Sequence, residues 1–62
     1  MKIYTYKKCQ QTGDNLVSIL ENHQGFTAIT FCDSKTFTTL KNAKNWLAKR
    51  GHTKVIEIND FN

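Results

Sequence analysis

Sixty-two residues suffice for one small domain, residues 1–62, and leave little room for a preorganised active site beside a core. Nine lysine and arginine residues against five acidic ones give a formal net charge of +4. This charge excludes the strongly acidic proteins that mimic nucleic acid and mildly favours anionic partners, although it also suits a protein that only has to stay in solution.

The cysteine usage and hydropathy indicate a cytoplasmic protein. Cys9 and Cys32 are too few for a disulfide scaffold, so reduced thiols are expected. The first 15 residues are polar, so no signal peptide is expected. No run approaches the roughly 20 apolar residues of a membrane span, so no membrane contact is predicted.

Three strands are predicted in the first half of the chain. They cover residues 2–8, 16–21 and 26–32. The first alternates weakly, the second is a short apolar run, and the third is dense in β-branched and aromatic residues. Clusters of glycine and polar residues predict the turns, at residues 10–15, 22–25 and 33–35.

A capped amphipathic helix is the clearest element of the chain. Thr38 or Thr39 suits the N-cap, where a hydroxyl accepts a free amide of the first turn. Gly51 suits the left-handed residue that ends a helix. The apolar side chains of one helix face recur at spacings of three and four: Leu40, Ala43, Trp46 and Leu47.

A last short strand over residues 54–58 completes the predicted order βββαβ. We predict an α+β fold, a three- to four-stranded antiparallel sheet with one helix packed on a face. In that topology Cys9 and Cys32 lie at one end of the sheet, and His23 and His52 lie at the other. Four such side chains match structural zinc in number, but their spacing and placement do not form a site, so no metal or cofactor is predicted.

The second and third strands are apolar on both sides, although one helix covers only one face of a sheet. A second copy of the chain is the simplest cover for the other face, which predicts a homodimer. The alternative is a strongly curled sheet whose second face is filled by Tyr4, Tyr6 and Phe61.

The basic residues are concentrated between Ser34 and Ile56, a segment with six basic residues and no acidic one. Its helix exposes a uniformly positive face, and such a face suits contacts to phosphates. The residues predicted to bind nucleic acid are Lys35, Lys41, Lys44, Lys49 and Arg50. A lysine-rich face that is only solvated explains the same pattern.

The sequence offers no catalytic constellation. Cys32 precedes the helix, but no histidine is predicted beside it, and the five carboxylates form no spaced pair on one element. The segment 34–39 has hydroxyls and a lysine near a helix N-terminus but lacks the glycines of a nucleotide-binding loop. We therefore expect that the protein is not an enzyme.

The run Phe37-x-Thr39-x-x-x-Ala43-x-x-x-Leu47 resembles the strand-to-helix junction of arm-type DNA-binding domains of phage and transposon integrases. In that family a three-stranded sheet packs on a C-terminal helix, and the sheet enters the major groove. The resemblance implies a DNA-facing sheet surface formed by Lys2, Tyr4, Tyr6 and Lys8. The chain departs from that family in its strand at residues 54–58 and in its apolar second and third strands.

The size and the lysine- and asparagine-rich composition also resemble the small accessory proteins of phages and mobile elements, of which anti-CRISPR inhibitors are one group. We predict a non-enzymatic accessory protein of this kind that binds nucleic acid or a nucleoprotein complex through its basic helix surface. The alternative is an inhibitor or adaptor that docks on a host protein effector, such as a CRISPR effector. Salt separates the two, because phosphate binding weakens steeply as salt rises.

Overall fold

Five antiparallel strands and one helix form the fold in a computed structural model that describes residues 1–61. The elements are β1 Lys2–Lys8, β2 Asn15–Asn22, β3 Gly25–Ile29, β4 Ser34–Phe37, α1 Leu40–Ala48 and β5 Glu57–Asp60. The strands lie in the order β4-β3-β2-β1-β5, and each neighbouring pair is antiparallel. The predicted α+β class, an antiparallel sheet with one helix, is confirmed.

The strand β4 is absent from the predicted order βββαβ, which has three to four strands. The prediction of a turn at residues 33–35 is wrong at Ser34 and Lys35, which pair with Ile29 and Ala28 of β3. The first three side chains of β4 are exposed, so no hydrophobic alternation marks this strand. An edge strand of this kind is held by main-chain hydrogen bonds to one neighbour and needs little side-chain burial.

The additional strand reverses the direction of α1 relative to the prediction. Phe37 pairs with Phe26 at the start of β3, so α1 begins at that end of the sheet and returns to the opposite end. There the ring of His52 lies 6.4 Å from the ring of Phe31, between centroids. The prediction that His52 lies at the same end as His23 is therefore wrong.

The last strand begins later than predicted. β5 covers Glu57–Asp60 instead of residues 54–58, because its register is set by pairing with β1. Glu57 pairs with Thr5 and Asp60 pairs with Lys2. The apolar residues before it lead into the sheet, and the amide of Ile56 already donates to the carbonyl of Thr5 at 2.8 Å.

Both ends of α1 follow the predicted caps. The hydroxyl of Thr39 accepts a hydrogen bond from the amide of Asn42 at 3.2 Å, so Thr39 is the N-cap. Gly51 has a φ of 88°, and the amide of His52 donates to the carbonyl of Leu47 at 3.0 Å. That bond closes a Schellman motif, which requires a left-handed residue at Gly51. α1 itself has nine residues and, within residues 1–61, no helix is long and apolar enough to cross a membrane.

The core lies between α1 and one face of the sheet. Its fully buried apolar side chains come from β2, β3 and α1: Val17, Ile19, Ala28, Ala43 and Leu47. Tyr4 and Tyr6 of β1 complete the cluster, with exposed fractions of 7% and 8%. Burial of this kind, at roughly 25 cal/mol per Å² of apolar surface, is the main favourable term for so small a domain.

The second face of the sheet carries aliphatic side chains that α1 does not cover. Strand alternation and register place on it the half-buried residues Ile3, Leu16, Leu20 and Ile29. The alternative filling by the two tyrosines is wrong, because Tyr4 and Tyr6 pack in the α1 cluster. Phe61 remains half exposed. A homodimer through this face stays a prediction.

Candidate nucleic-acid interface

Three lysines project from the exposed side of α1 and its end. These α1 lysines are Lys41, Lys44 and Lys49, and all three are exposed. Within residues 1–61 the ion pairs are those of Lys8 with Glu57 and of Arg50 with Asp33. None of the α1 lysines therefore has a carboxylate partner in the described chain, and their positive charge is left for solvent or a ligand.

On the flank of α1 that faces β1, two lysine side chains lie beside one tyrosine ring. The Nζ of Lys44 lies 5.9 Å from the ring centroid of Tyr4, and the Nζ of Lys2 lies 5.7 Å from the same centroid. Both distances fall within the range of cation–π attraction. Two ammonium groups, one from α1 and one from β1, are thus held beside a single ring at this flank.

The opposite flank of α1 carries a line of alternating cations and rings, the aromatic ladder, formed by Lys35, Phe37, Trp46 and Arg50. The Nζ of Lys35 lies 5.5 Å from the Phe37 centroid, and the Phe37 and Trp46 centroids are 6.0 Å apart. The guanidinium carbon of Arg50 lies 3.8 Å from the Trp46 centroid. The ladder joins the edge strand β4 to the end of α1.

Arg50 is the most constrained of the predicted site residues. Besides stacking on Trp46, it donates to the Trp46 carbonyl at 3.4 Å and lies 3.8 Å from the carboxylate of Asp33. Both groups of this ion pair are partly exposed, so the pair contributes little to stability. Its effect is to fix the position of the guanidinium.

The five predicted residues are all exposed, but they do not form one face. Lys44 lies on the β1 flank of α1, while Lys35 and Arg50 lie on the β4 flank within the aromatic ladder. Lys41 and Lys49 belong to the helix between these flanks. The predicted residues therefore form a wider surface than one helix face. This surface is a positive band that crosses α1 from the β1 flank to the β4 flank.

The residues of β1 that the integrase resemblance implies are placed differently. Tyr4 and Tyr6 are buried under α1, so their rings are unavailable for stacking on bases, and burial raises the pKa of the Tyr6 hydroxyl. The ammonium of Lys8 is held by Glu57. The hydrogen bond from Lys8, followed by one from Asn59, lowers the pKa of the Glu57 carboxyl.

Thiols, imidazoles and carboxylates do not gather at this surface. Within the described residues 1–61, no three side chains of histidine, cysteine, aspartate or glutamate are close enough together to hold a metal ion. Cys9 is half-buried and Cys32 is exposed, and both are free thiols. The chemistry that the positive band offers to a ligand is that of ammonium, guanidinium and aromatic groups.

Two residue spacings in the sequence indicate the aromatic ladder, in addition to the positions of the basic residues. Trp46 and Arg50 are four residues apart, which places them next to each other on one side of a helix. Lys35 and Phe37 are two residues apart, which places them on one side of a strand. The second signal is usable only once β4 is known to be a strand.

A family model described as "Protein of unknown function (DUF1391)" matches residues 9–51, more than half of the chain. The match runs from the end of β1 through α1 and includes the α1 lysines and the aromatic ladder. No curated protein and no solved structure matches the chain.

Proposed function

Since this chain belongs to the DUF1391 family, whose description names no function, we propose from the geometry that it is a non-enzymatic protein that binds nucleic acid or a nucleoprotein. The α1 lysines contact phosphates, and Lys35 and Arg50 extend the contact across the β4 flank. The observation that carries the proposal is the set of exposed ammonium groups on one rigid helix without carboxylate partners in residues 1–61.

The spacing of the α1 lysines supports this function. Lys41 and Lys49 are eight residues apart, about 12 Å along a helix at 1.5 Å per residue. A nucleic-acid strand rises about 3.4 Å per phosphate, so this length corresponds to about three to four phosphate steps along one strand. α1 contains no acidic residue, so it lacks the intrahelical ion pairs that stabilise a helix whose charged face is only solvated.

The test replaces the α1 lysines with uncharged residues while the fold is kept intact. The variant K41Q/K44Q/K49Q loses three positive charges from exposed positions. A matched control, Q10E/Q11E/Q24E, shifts the net charge by the same amount at exposed loop positions and keeps every lysine. Fluorescence anisotropy with labelled DNA and RNA is measured for both variants at several salt concentrations between about 50 and 200 mM.

We expect the lysine variant to bind at least about tenfold more weakly than wild type at the lowest salt, since each phosphate contact releases a counterion. The slope of log affinity against log salt should fall by about 2 to 3, which is 0.7 to 0.9 for each lost contact. The control should keep most of the slope. Equal weakening in both variants would show that only net charge matters and would overturn the α1 assignment.

A second candidate function is docking on a host protein effector, as an inhibitor or adaptor. The half-exposed aliphatic second face of the sheet favours it, because such a face suits an apolar protein contact. Wild-type protein that binds neither DNA nor RNA at low salt would support this candidate over the first. The cytoplasmic setting and the origin in a phage or mobile element remain predictions from composition.

A further inference from the structure

A second group of aromatic and basic side chains lies where β3 turns into β4. This end cluster consists of Lys7, Phe31, Asp33, Arg50 and His52. Phe31 is 60% exposed, so it is among the most exposed large apolar side chains of the protein. The Nζ of Lys7 lies 5.3 Å from the Phe31 centroid, and the His52 ring meets the Phe31 ring edge-on at 72°.

The turn that carries Phe31 is closed by hydrogen bonds. The amide of Thr30 donates to the carbonyl of Asp33 at 2.7 Å, and the amide of Asp33 donates to the hydroxyl of Thr30 at 3.1 Å. The carboxylate of Asp33 also lies 3.8 Å from Arg50, which joins the turn to the end of α1. The ring is therefore presented on a fixed backbone, which lowers the ordering cost of binding a partner.

The surroundings of Phe31 suit one kind of ligand. The ring lies outside the buried core cluster, and its aromatic and cationic neighbours are His52 and Lys7. Lys7 places an ammonium beside the ring, and the guanidinium of Arg50, which lies 3.8 Å from the carboxylate of Asp33, adds a second cation next to the turn. An exposed ring beside cations matches an unpaired base with its phosphates, whereas a duplex keeps its base faces stacked inside.

We propose that Phe31 stacks on an unpaired base of single-stranded nucleic acid while Lys7 and Arg50 contact the neighbouring phosphates. This inference rests on the proposed function and deepens it by naming the single-stranded form as the preferred ligand. Lys49 immediately precedes Arg50. A strand that follows the α1 lysines therefore arrives at the end cluster.

The experiment compares single-stranded and duplex probes. The probes are labelled oligothymidylate and oligouridylate of about 12 nucleotides, and a DNA duplex of the same length, a size suited to one small binding site. The variants are F31A, F31L and F31W. The control is F61A, which removes another half-exposed phenylalanine, one that lies beside Met1 at the other end of β1.

We expect F31A and F31L to weaken single-strand binding about 5- to 150-fold, which corresponds to the loss of one stacked base at 1 to 3 kcal/mol. F31W should bind as well as wild type, because it restores a stacking face. F61A should bind within about twofold of wild type, and F31A should leave duplex binding unchanged. Thermal melting by circular dichroism verifies that each variant is folded.

The outcomes separate the two proposals. Wild-type affinity for single strands in F31A or F31L overturns the stacking site, while binding that still depends on the α1 lysines leaves the proposed function intact. Equal loss in F31L and F31W also overturns it, because the effect then does not depend on an aromatic ring. Absence of binding to all three probes by wild-type protein at low salt overturns both proposals.

Discussion

Replacing Gly25 with alanine is expected to unfold the domain or leave it only marginally folded. Gly25 has a φ of 136°, a backbone conformation that residues with a Cβ rarely adopt. A Cβ at this position would also meet the backbone carbonyl of Phe37, with its oxygen well inside van der Waals contact and its carbon at 3.3 Å. Because the neighbour is main chain at the end of β4, rotation of a side chain cannot relieve the clash.

The expected loss is large compared with the stability available. Small domains are stable by roughly 0.05 to 0.15 kcal/mol per residue, so about 3 to 9 kcal/mol is available here. Separation of β4 from β3 would also displace the start of α1, which follows β4 after two residues. Urea unfolding followed by circular dichroism and the fluorescence of Trp46 measures the effect.

Gly51→Ala is the matched control for this prediction. Gly51 also has a positive φ, 88°, but a Cβ there would have no atom within 4 Å. The free energy of unfolding of the control should therefore fall only by the cost of placing alanine in a left-handed conformation, about 1 to 2 kcal/mol. Similar unfolding midpoints for the two variants would show that the approach of Phe37 to Gly25 does not hold β4 in place.

The sequence predicts those elements whose stability depends on their own residues. The helix carries its N-cap, its apolar spacing and its terminal glycine within a single segment, and Thr39 and Gly51 are found in these roles. β1 likewise has the predicted bounds. In these elements the local preferences and the packing agree.

The elements that the sequence misplaces depend on a partner strand. β4 consists of Ser-Lys-Thr-Phe, and its first three side chains are exposed, so only its pairing with β3 makes it a strand. β5 is shifted along the chain because pairing with β1 decides its register. Side-chain alternation gives no signal for β4, because side chains on both sides of this edge strand are exposed.

The candidate sites divide in the same way, into features set by local sequence and features that depend on strand pairing. The five basic residues of the predicted site are exposed, as expected because lysine and arginine are almost never fully buried unless they are paired. The end cluster was not predictable, because the proximity of Phe31 and His52 depends on the direction of α1, and that direction depends on β4. The end cluster therefore depends on an edge strand that the sequence did not predict.

Leu47→Ala is expected to remove a large part of the stability of the fold. Leu47 has an exposed fraction of 0% and lies in the cluster that joins α1 to β2 and β3. Leucine-to-alanine changes in such sites cost about 2 to 5 kcal/mol, because the lost burial is accompanied by a cavity. Leu40→Ala, in the first turn of the same helix, is the control, and it should cost less because Leu40 is only half-buried.

The same variant connects the fold to the proposed function, because α1 presents its core residues and its lysines from a single helix. A ligand that binds only the folded protein stabilises it by about 2.7 kcal/mol at a hundredfold excess over Kd. Saturating oligothymidylate should therefore raise the melting temperature of wild type and of Leu47→Ala, and restore most of the folded fraction of the variant. At the same concentration the oligonucleotide should stabilise K41Q/K44Q/K49Q by about half as much or less, because a tenfold loss of affinity leaves at most about a tenfold excess over Kd. If it raised the melting temperature of that lysine variant as much as that of wild type, the nucleic acid would bind elsewhere than on α1.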